Sequence, residues 1–345
     1  MRTVIPVVIV AGFLGSGKTT LLNYLLRNNR GTRIGVVVND FGAVNIDAML
    51  VAGQVDAMVS LGNGCVCCAV DVSELDDLFG RLAQPRSAVD VIVVEASGLA
   101  EPRNLIRMVI ANPNPRIAYG GLVEVVDAEL FDTTSAQHPE LVTHLRLADL
   151  VLVNKADRVA PDVLAALRAR IAEWVGQVPV YATTRGRVDP GLLFDERLRE
   201  EPKVAQQLSF DALLDDHDHD HDDPDHRHLH DEYVSVSFTS KRALDPRALV
   251  AFLEDPPPGL FRAKGCVAFA VTGERRKFEL HVVGRHVVFT PGTWARGEER
   301  VSNLVLIGAG LDTEAALDRL HATVFDGDEP LDDQTMLGVW RHTPR

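Results

Sequence analysis

The eight residues GFLGSGKT, Gly12 to Thr19, decide the fold class of this chain. They match G-x-x-x-x-G-K-[ST] at every fixed position, directly after the apolar run VIPVVIV and directly before the helix-like run TTLLNYLLRNN. A strand, a glycine-rich loop and a helix in this order are typical of a phosphate-binding loop. Glycines let backbone N–H groups turn toward phosphate oxygens, and the start of the helix adds partial positive charge. The stretch therefore predicts a nucleotide-binding α/β domain.

The side chains of this loop indicate how it would hold a nucleotide. Lys18 would reach the β- and γ-phosphates, and the Thr19 hydroxyl would bind Mg²⁺. The alternative is a glycine turn that matches the motif by chance. We assign nucleotide binding to the glycines, the hydroxyl residues and the lysine of the loop, which are Gly12, Gly15, Ser16, Gly17, Lys18, Thr19 and Thr20.

The segment NKAD indicates which base is bound. Asn154, Lys155 and Asp157 follow the apolar run LVLV in the pattern N-K-x-D. A carboxylate here accepts hydrogen bonds from the ring N–H and the exocyclic amine of guanine, whereas adenine presents the wrong set of donors. Because such a site rejects an analogue that leaves its polar groups unpaired, we expect GTP rather than ATP. The next predicted strand leads into Ala182, Thr183 and Thr184, which we expect to complete the base pocket.

The run VIVVEASGLAEP supplies the remaining predicted catalytic residues. Glu95 ends a predicted buried strand and would hold the Mg²⁺ shell through water, and the amide of Gly98 would sense the γ-phosphate. The alternative for Glu95 is an ordinary acid at a strand end. With Lys18 and Thr19, these two residues form the predicted catalytic set. The sequence shows no recognisable arginine finger or catalytic base, so we expect slow intrinsic turnover.

The pattern of strands and helices predicts two domains. Residues 1–205 alternate between short runs rich in Val, Ile and Leu and longer amphipathic runs, which predicts a mostly parallel sheet flanked by helices. Residues 206–231 are rich in His and Asp and are expected to form a flexible linker. Residues 232–345 contain short alternating strands, and they predict a smaller α+β domain with a mainly antiparallel sheet.

Composition excludes several classes of function. No uncharged apolar run reaches the roughly 18 residues of a membrane span, so we expect no membrane partner. The N-terminal run lacks a small-residue cleavage site and leads into the glycine loop, so we interpret it as a strand and expect a cytoplasmic protein. The net charge of −14 argues against nucleic-acid binding, because phosphates would be repelled.

Three of the four cysteines lie together in LGNGCVCCAV, residues 61–70. Thiolates are good ligands for Zn²⁺, and the two glycines before Cys65 allow the backbone to curl so that Cys65, Cys67 and Cys68 converge. Three thiolates leave tetrahedral Zn²⁺ an open position, which suits release. The alternatives are a Cys65–Cys68 redox pair, a permanent structural zinc, or cysteines that only fill space. Cys266, in the apolar run GCVAFAV, is expected to be a core residue.

A histidine-rich tract strengthens the metal interpretation. Residues 215–232 contain nine acids and one arginine, and the acids are interspersed with histidines. Neutral imidazole is a common metal ligand, and the carboxylates raise the local cation concentration. We expect this tract to collect metal weakly and to exchange it quickly; the alternative is a solubilising charged loop. The candidate ligands are His217, His219, His221, His226, His228 and His230.

The motifs taken in order resemble those of a known family. GFLGSGKTTLLN, VNDFGAVNID, GNGCVCC, EASGLAEP and NKAD are similar to those of the CobW-like metallochaperone GTPases, which are relatives of the urease and hydrogenase nickel-insertion GTPases. FRAKG, PGTW and RVSNLVLIGAGLD resemble the C-terminal domain of that family. The resemblance implies GTP hydrolysis coupled to metal delivery, with the C-x-C-C cysteines between two switch regions. Asp40 takes the place of a glutamate that is a metal ligand in some members. Aspartate is one methylene shorter, so whether Asp40 is a ligand stays open.

These observations predict a GTP-hydrolysing metallochaperone that holds a divalent metal, zinc above all, at the C-x-C-C motif and delivers it to a client protein. The expected cofactors are GTP, Mg²⁺ and Zn²⁺. The alternatives are Co²⁺ or Fe²⁺ as cargo, for cobalamin synthesis or nitrile hydratase activation, a GTP-gated zinc buffer or sensor, and a redox-switch GTPase. The expected partners are the client and, depending on the nucleotide, a second copy of the chain. Metal must bind the GTP and GDP forms differently, or hydrolysis can drive nothing.

Overall fold

The computed structural model describes residues 4–29, 31–38, 57–60, 72–84, 89–96, 101–194, 233–327 and 330–344. These residues form a seven-stranded parallel sheet and a five-stranded antiparallel sheet. The predicted fold class is therefore confirmed. The predicted linker and both of its boundaries lie outside the described residues, so those boundaries stay predictions.

The parallel sheet has the strand order β3-β2-β4-β1-β5-β6-β7. Its strands are β1 (Ile5–Ala11), β2 (Ile34–Val38), β3 (Ala57–Ser60), β4 (Val91–Glu95), β5 (Ile117–Asp127), β6 (Leu150–Asn154) and β7 (Val180–Ala182). The central strand β1 pairs with β4 on one side and with β5 on the other. Open α/β sheets bind ligands outside the carboxyl ends of their strands at the point where the strand order reverses. The loop after β1 lies at that point.

Helices cover both faces of this sheet. On one face, Leu21 and Leu25 of the first helix belong to the same buried cluster as Val8 and Val10 of β1. On the other face, Phe79 and Ile171 belong to the same buried cluster as Val7 and Ile9. Both sets are buried, which explains why the strands are apolar throughout. The helices of this domain are α1 (Lys18–Arg27), α2 (Val72–Leu82), α3 (Pro102–Ile110), α4 (Phe131–Gln137), α5 (Glu140–Leu145), α6 (Pro161–Val175) and α7 (Pro190–Leu193).

The antiparallel sheet forms the C-terminal domain and has the order β11-β10-β9-β12-β8. Its strands are β8 (Tyr233–Ser240), β9 (Leu260–Val267), β10 (Lys277–Val283), β11 (His286–Gly292) and β12 (Ser302–Ala309). Three helices, α8 (Pro246–Glu254), α9 (Thr313–His321) and α10 (Leu337–Arg341), complete the domain. A second core of aromatic and aliphatic side chains joins them to one face of the sheet, with Phe269 and Phe278 in edge-to-face contact.

The expectation that Cys266 is a core residue is wrong. The predicted strand GCVAFAV begins too late, because β9 runs from Leu260 to Val267. Side chains on a strand alternate between its two faces, and Val267 occupies the buried one. Cys266 is consequently a half-buried free thiol whose Sγ lies 3.6 Å from the carbonyl oxygen of Val301.

The two domains share part of one core. Phe261 and Val283 of the C-terminal sheet pack with residues of β1 and α1 in the same cluster of buried side chains. Gly121 makes this approach possible. A Cβ on Gly121 would lie 2.7 Å from Val283 Cγ1, and the residue has a φ of +109° in a strand whose register with β1 shifts nearby.

A buried carboxyl group also crosses the domain boundary. Asp149 accepts hydrogen bonds at Oδ2 from the hydroxyl of Tyr119 (2.5 Å) and the amide of Leu122 (2.9 Å). It also accepts one from the backbone amide of Arg285, in the turn between β10 and β11. A Cβ on the neighbouring Gly284 would overlap the Asp149 carboxylate. Burial raises the pKa of Asp149 to about 6, while these hydrogen bonds lower it in part.

Among the described residues, no helix combines the length and the apolar character needed to cross a bilayer.

Candidate nucleotide site

The glycine loop adopts a backbone that only glycine accommodates without strain. Gly12, Gly15 and Gly17 all have positive φ, at +143°, +76° and +106°. A Cβ on Gly12 would lie 2.3 Å from the carbonyl oxygen of Val125, and a Cβ on Gly17 would lie 2.2 Å from Asn154 Nδ2. The loop therefore packs directly on β5 and on the N-K-x-D segment, so its shape is fixed by both.

Lys18 folds back into this loop. Its Nζ donates hydrogen bonds to the carbonyl oxygens of Gly12 (2.9 Å) and Phe13 (3.3 Å), and the residue is buried. The ammonium group is thus held at the mouth of the loop, where phosphate oxygens would compete with the two carbonyls. The role of Lys18 in phosphate binding stays a prediction.

Thr19 and Glu95 meet although they lie 76 residues apart. The Thr19 hydroxyl donates a 2.8 Å hydrogen bond to Glu95 Oε1, and Glu95 ends β4 as a buried residue. A hydroxyl and a carboxylate at one point are oxygen donors, the kind that Mg²⁺ prefers. The pair fits the predicted metal side of the nucleotide site.

Asn154 connects the glycine loop to the segment after β7. Its Nδ2 donates to the carbonyl oxygen of Ser16 (2.9 Å), and its Oδ1 accepts from the amide of Gly186 (2.9 Å). Asn154 is buried, so its side chain holds the glycine loop to the segment after β7. The sequence analysis missed Gly186, whose φ is +65° and whose Cβ would lie 2.7 Å from the backbone nitrogen of Leu21.

Lys155 and Asp157 diverge after the strand ends. Lys155 has a φ of +61°, and its Nζ forms an ion pair with Asp127 Oδ2 at 2.6 Å. Asp157 follows in the 3₁₀ turn Ala156–Arg158 and is exposed, so its carboxylate is available to a base. Asp127 was also missed, although it lies beside Asn154 in the register of β5 and β6.

The segment after β7 lies beside the N-K-x-D segment, and its role in the base pocket stays a prediction. The amide of Ala156 donates to the carbonyl oxygen of Thr183 (3.1 Å), and the amide of Thr183 donates to the carbonyl oxygen of Val153 (2.8 Å). The Thr183 hydroxyl is bonded to the carbonyl oxygen of Arg187. Thr183 therefore shapes the turn, while Ala182 and Thr184 on either side of it are only half-buried.

All of the predicted ligands of the delivered metal lie outside the described residues. These are Asp40, Cys65, Cys67, Cys68 and the tract His217, His219, His221, His226, His228 and His230, and the predicted catalytic residue Gly98 is also outside them. Within the part of the chain that the structure describes, no group of three or more His, Cys, Asp or Glu side chains could hold a metal ion.

A glycine loop after the central strand, with an N-K-x-D segment two strands away, is the arrangement of a P-loop GTPase. The chain belongs to the CobW family of these GTPases. Residues 6–182 match the model of the CobW/HypB/UreG nucleotide-binding domain, and residues 233–324 match the cobalamin synthesis protein cobW C-terminal domain. The predicted family and the predicted GTPase activity are both confirmed.

Curated relatives span most of the chain. It is 31% identical to the zinc chaperone CobW of Pseudomonas aeruginosa, over 93% of this chain and 92% of that protein. It is 33% identical to the zinc chaperone YjiA of Escherichia coli, over 61% of this chain and 68% of that protein. The crystal structure of the Zn(II)-bound YjiA GTPase from E. coli aligns with 94% of this chain and 100% of that chain, at 24% identity and a TM-score of 0.44.

Proposed function

We propose that this GTPase is a zinc metallochaperone that holds Zn²⁺ at Cys65, Cys67 and Cys68 and releases it to a client protein under the control of GTP hydrolysis. The observation that carries the proposal is the family itself: relatives aligned over nine-tenths of the chain are named zinc chaperones. The C-x-C-C segment of this sequence supplies thiolates, which suit that cargo.

The sheet register supports a link between nucleotide and metal. Val38 ends β2, Ser60 ends β3 and Glu95 ends β4. In the sheet, Val38 lies between the other two and is paired in register with each of them. Adjacent strands are about 4.8 Å apart, so the backbone of Ser60, just before the cysteine segment, lies about 10 Å from the backbone of Glu95. The segment that contains Asp40 begins after Val38, which lies between Ser60 and Glu95 in the sheet. A change of the Glu95 environment on hydrolysis can therefore reach both segments over a short distance.

The nucleotide side of this mechanism uses described residues. Lys18 would exchange its two loop carbonyls for phosphate oxygens, and the exposed Asp157 would accept hydrogen bonds from guanine. Thr19 and Glu95 would hold Mg²⁺, the threonine directly and the glutamate through water. When bound, Mg²⁺ neutralises charge on the phosphates. The hydrogen bond between Thr19 and Glu95 would then be replaced, which gives Glu95 two states that depend on the nucleotide.

Competitive zinc titration against a chromophoric chelator tests the proposal. We expect Zn²⁺ affinity to differ by about tenfold or more between the complexes with a non-hydrolysable GTP analogue and with GDP. Changing Cys65, Cys67 and Cys68 together to serine should abolish the tight site. Cys266→Ser is the matched control, because it removes the one cysteine outside the motif and should leave zinc affinity unchanged.

Equal zinc affinity in the two nucleotide states, or tight binding after the triple substitution, would contradict the proposal. The same titration with Co²⁺ and Fe²⁺ reports on the cargo. A metal other than zinc that shows the larger nucleotide dependence would replace zinc in the proposal while leaving the coupling intact.

The histidine tract has a separate role in the proposal, which is to collect metal for the cysteines. Deleting residues 215–232 should lower the number of weakly bound zinc ions and leave the tight site unchanged. Because neutral imidazole is the ligand, the weak binding should fall as pH drops through about 6.5. Zinc stoichiometry measured at pH 7.5 and pH 5.5, with and without the tract, checks both statements.

A further inference from the structure

A buried carboxyl group lies beneath the glycine loop, and the family motifs do not include it. Glu124 belongs to β5 and is paired in register with Ala11, the residue just before the loop. Its exposed fraction is 3%, and no described protein group lies within hydrogen-bond distance of its Oε2. Glu124 lines a cavity of about 100 Å³ together with Ser16, whose buried Oγ likewise has no described partner, and with Asp127.

Among the residues that the structure describes, one charge shifts the pKa of Glu124. That charge is the ammonium group of Lys18. The other acid in the cavity wall is Asp127, which is already ion-paired with Lys155. Among the described residues, Leu130 before α4 and the residues that α4 and α5 contribute to the wall have neutral side chains; the helix residues are Phe131, Thr134, Leu141 and Leu145. On the neighbouring strands, Glu124 pairs in register with Ala11 and Val151.

The protonation state of Glu124 follows from this environment. Burial raises its pKa to about 8, and the nearby charge of Lys18 lowers it in part. At neutral pH the side chain is therefore mostly a neutral carboxylic acid. Ionisation would place a negative charge beneath the loop and would offset the positive charge that Lys18 presents to phosphates.

We propose that Glu124 is a positioning residue of the nucleotide site, which acts through Lys18 by taking up a proton when phosphates enter the loop. Two effects point the same way. The phosphates add negative charge close to Glu124, and they draw the ammonium group of Lys18 toward themselves; both favour the neutral carboxyl. By linkage, a nucleotide that promotes protonation is bound more tightly where the proton is available. The proposal depends on the nucleotide site and does not need metal delivery.

Calorimetric titration of the full chain with GDP and excess Mg²⁺, without zinc, tests the proposal. Binding heats at pH 8 in buffers with different heats of ionisation give the number of protons taken up. The last ionisation of the terminal phosphate of GDP, like the second ionisation of a phosphate monoester, has a pKa of about 6, so this phosphate is already ionised at pH 8. We expect the wild type to take up about half a proton per GDP, because a group with its pKa near 8 is half-ionised at that pH.

The Glu124→Gln variant should take up no proton at pH 8, because its amide keeps the shape of the neutral acid and cannot titrate. Between pH 7 and pH 9, GDP affinity of the wild type should fall by about tenfold relative to this variant. His138→Gln is the matched control, because it replaces a neighbouring imidazole whose ring lies 4.7 Å from that of Phe13 in the loop. This control should keep the proton uptake of the wild type.

Proton uptake that persists in Glu124→Gln, or that disappears in His138→Gln, would overturn the assignment to Glu124. If the glutamine variant does not fold, the wild type alone decides the matter, because no uptake at pH 8 would also overturn it. A loss of GDP affinity that is equal at all pH values would show that Glu124 is only structural.

Discussion

Two buried carboxyl groups, one in β5 and one just before the neighbouring strand β6, differ in their partners. Asp149, just before β6, accepts three hydrogen bonds from donors of both domains. Among the described residues, Glu124 in β5 has the ammonium group of Lys18 as the charge that acts on its pKa, and its Oε2 has no hydrogen-bond partner. Burial raises both pKa values, to about 6 for Asp149 and about 8 for Glu124. Fixed donors keep an acid ionised near neutrality and make it structural, whereas an acid without them stays responsive to charge that arrives later.

Strand β5 contains Glu124 and also the two residues, Tyr119 and Leu122, that donate hydrogen bonds to Asp149. β5 carries Tyr119 and Gly121 at the end that meets the C-terminal domain, and it carries Glu124 and Asp127 toward the nucleotide. Substitutions in the two groups should therefore separate stability of the domain contact from function of the nucleotide site.

The largest effect on the free energy of unfolding should follow from removing Asp149, the carboxyl group that has hydrogen-bond donors. Asp149→Ala would leave the hydroxyl of Tyr119 and the amide of Leu122 buried without an acceptor, and it would also remove the acceptor of the Arg285 amide. We expect a loss of about 3–5 kcal/mol in the free energy of unfolding, since each orphaned donor costs about 1–3 kcal/mol. Urea unfolding at pH 7.5 measures it. A change below about 1 kcal/mol would mean that these hydrogen bonds contribute little, and the contrast with Glu124 would lose its basis.

Glu124→Gln should increase the free energy of unfolding, whereas Asp149→Ala should decrease it. The folded pKa is about 8 and the reference value is 4.5, so between these pH values the unfolded state releases a proton that the folded state retains, and stability of the wild type falls as pH rises. The amide removes this penalty but is itself costly to bury, so we expect a net gain of about 2 kcal/mol at pH 8. Below pH 4.5 the gain should disappear. Urea unfolding at pH 8 and pH 4 checks the sign, and a variant less stable than wild type at pH 8 would contradict the raised pKa.

The sequence predicted the nucleotide site better than either buried acid. The glycine loop, Glu95 and the N-K-x-D segment are local patterns whose spacing is set by one turn or one strand end. Glu124 lies within the apolar run IAYGGLVEVVD, where strand periodicity shows burial on both faces and gives no reason for an acid. Its environment depends on the loop more than a hundred residues earlier, and no local pattern contains that contact.

The role of Asp149 and the position of Cys266 show the same limit. Asp149 meets Arg285 only because two domains dock, and the docking depends on the close approach at Gly121. Cys266 lies on the opposite face of β9 from the buried Val267, and the apolar run around it does not show which of the two faces is buried. Strand existence was predictable, whereas strand register and contacts between domains were not.

Tyr119→Phe should have a smaller effect than Asp149→Ala. It removes one of the three hydrogen bonds to Asp149 and leaves the ring, which contacts His286 edge-on at 5.5 Å between centroids. We expect a loss of about 1–2 kcal/mol in the free energy of unfolding. A double-mutant cycle with Asp149→Asn isolates the coupling between the two side chains. Additive effects of the two substitutions would contradict a direct interaction.

The smallest effect should come from Ser16→Ala. The Ser16 hydroxyl is buried like the oxygen of Tyr119, yet no described group is bonded to it. Removing a polar atom that has no protein partner orphans nothing, so the free energy of unfolding should change by less than about 0.5 kcal/mol. The hydrogen bond that Asn154 donates to the backbone oxygen of Ser16 remains, so the loop keeps its brace. Urea unfolding without nucleotide measures the effect. A loss as large as that of Tyr119→Phe would show that the Ser16 hydroxyl has a hydrogen-bond partner in solution. The lack of a described partner would then fail to distinguish Ser16 and Glu124, beneath the loop, from Tyr119 and Asp149 at the domain contact.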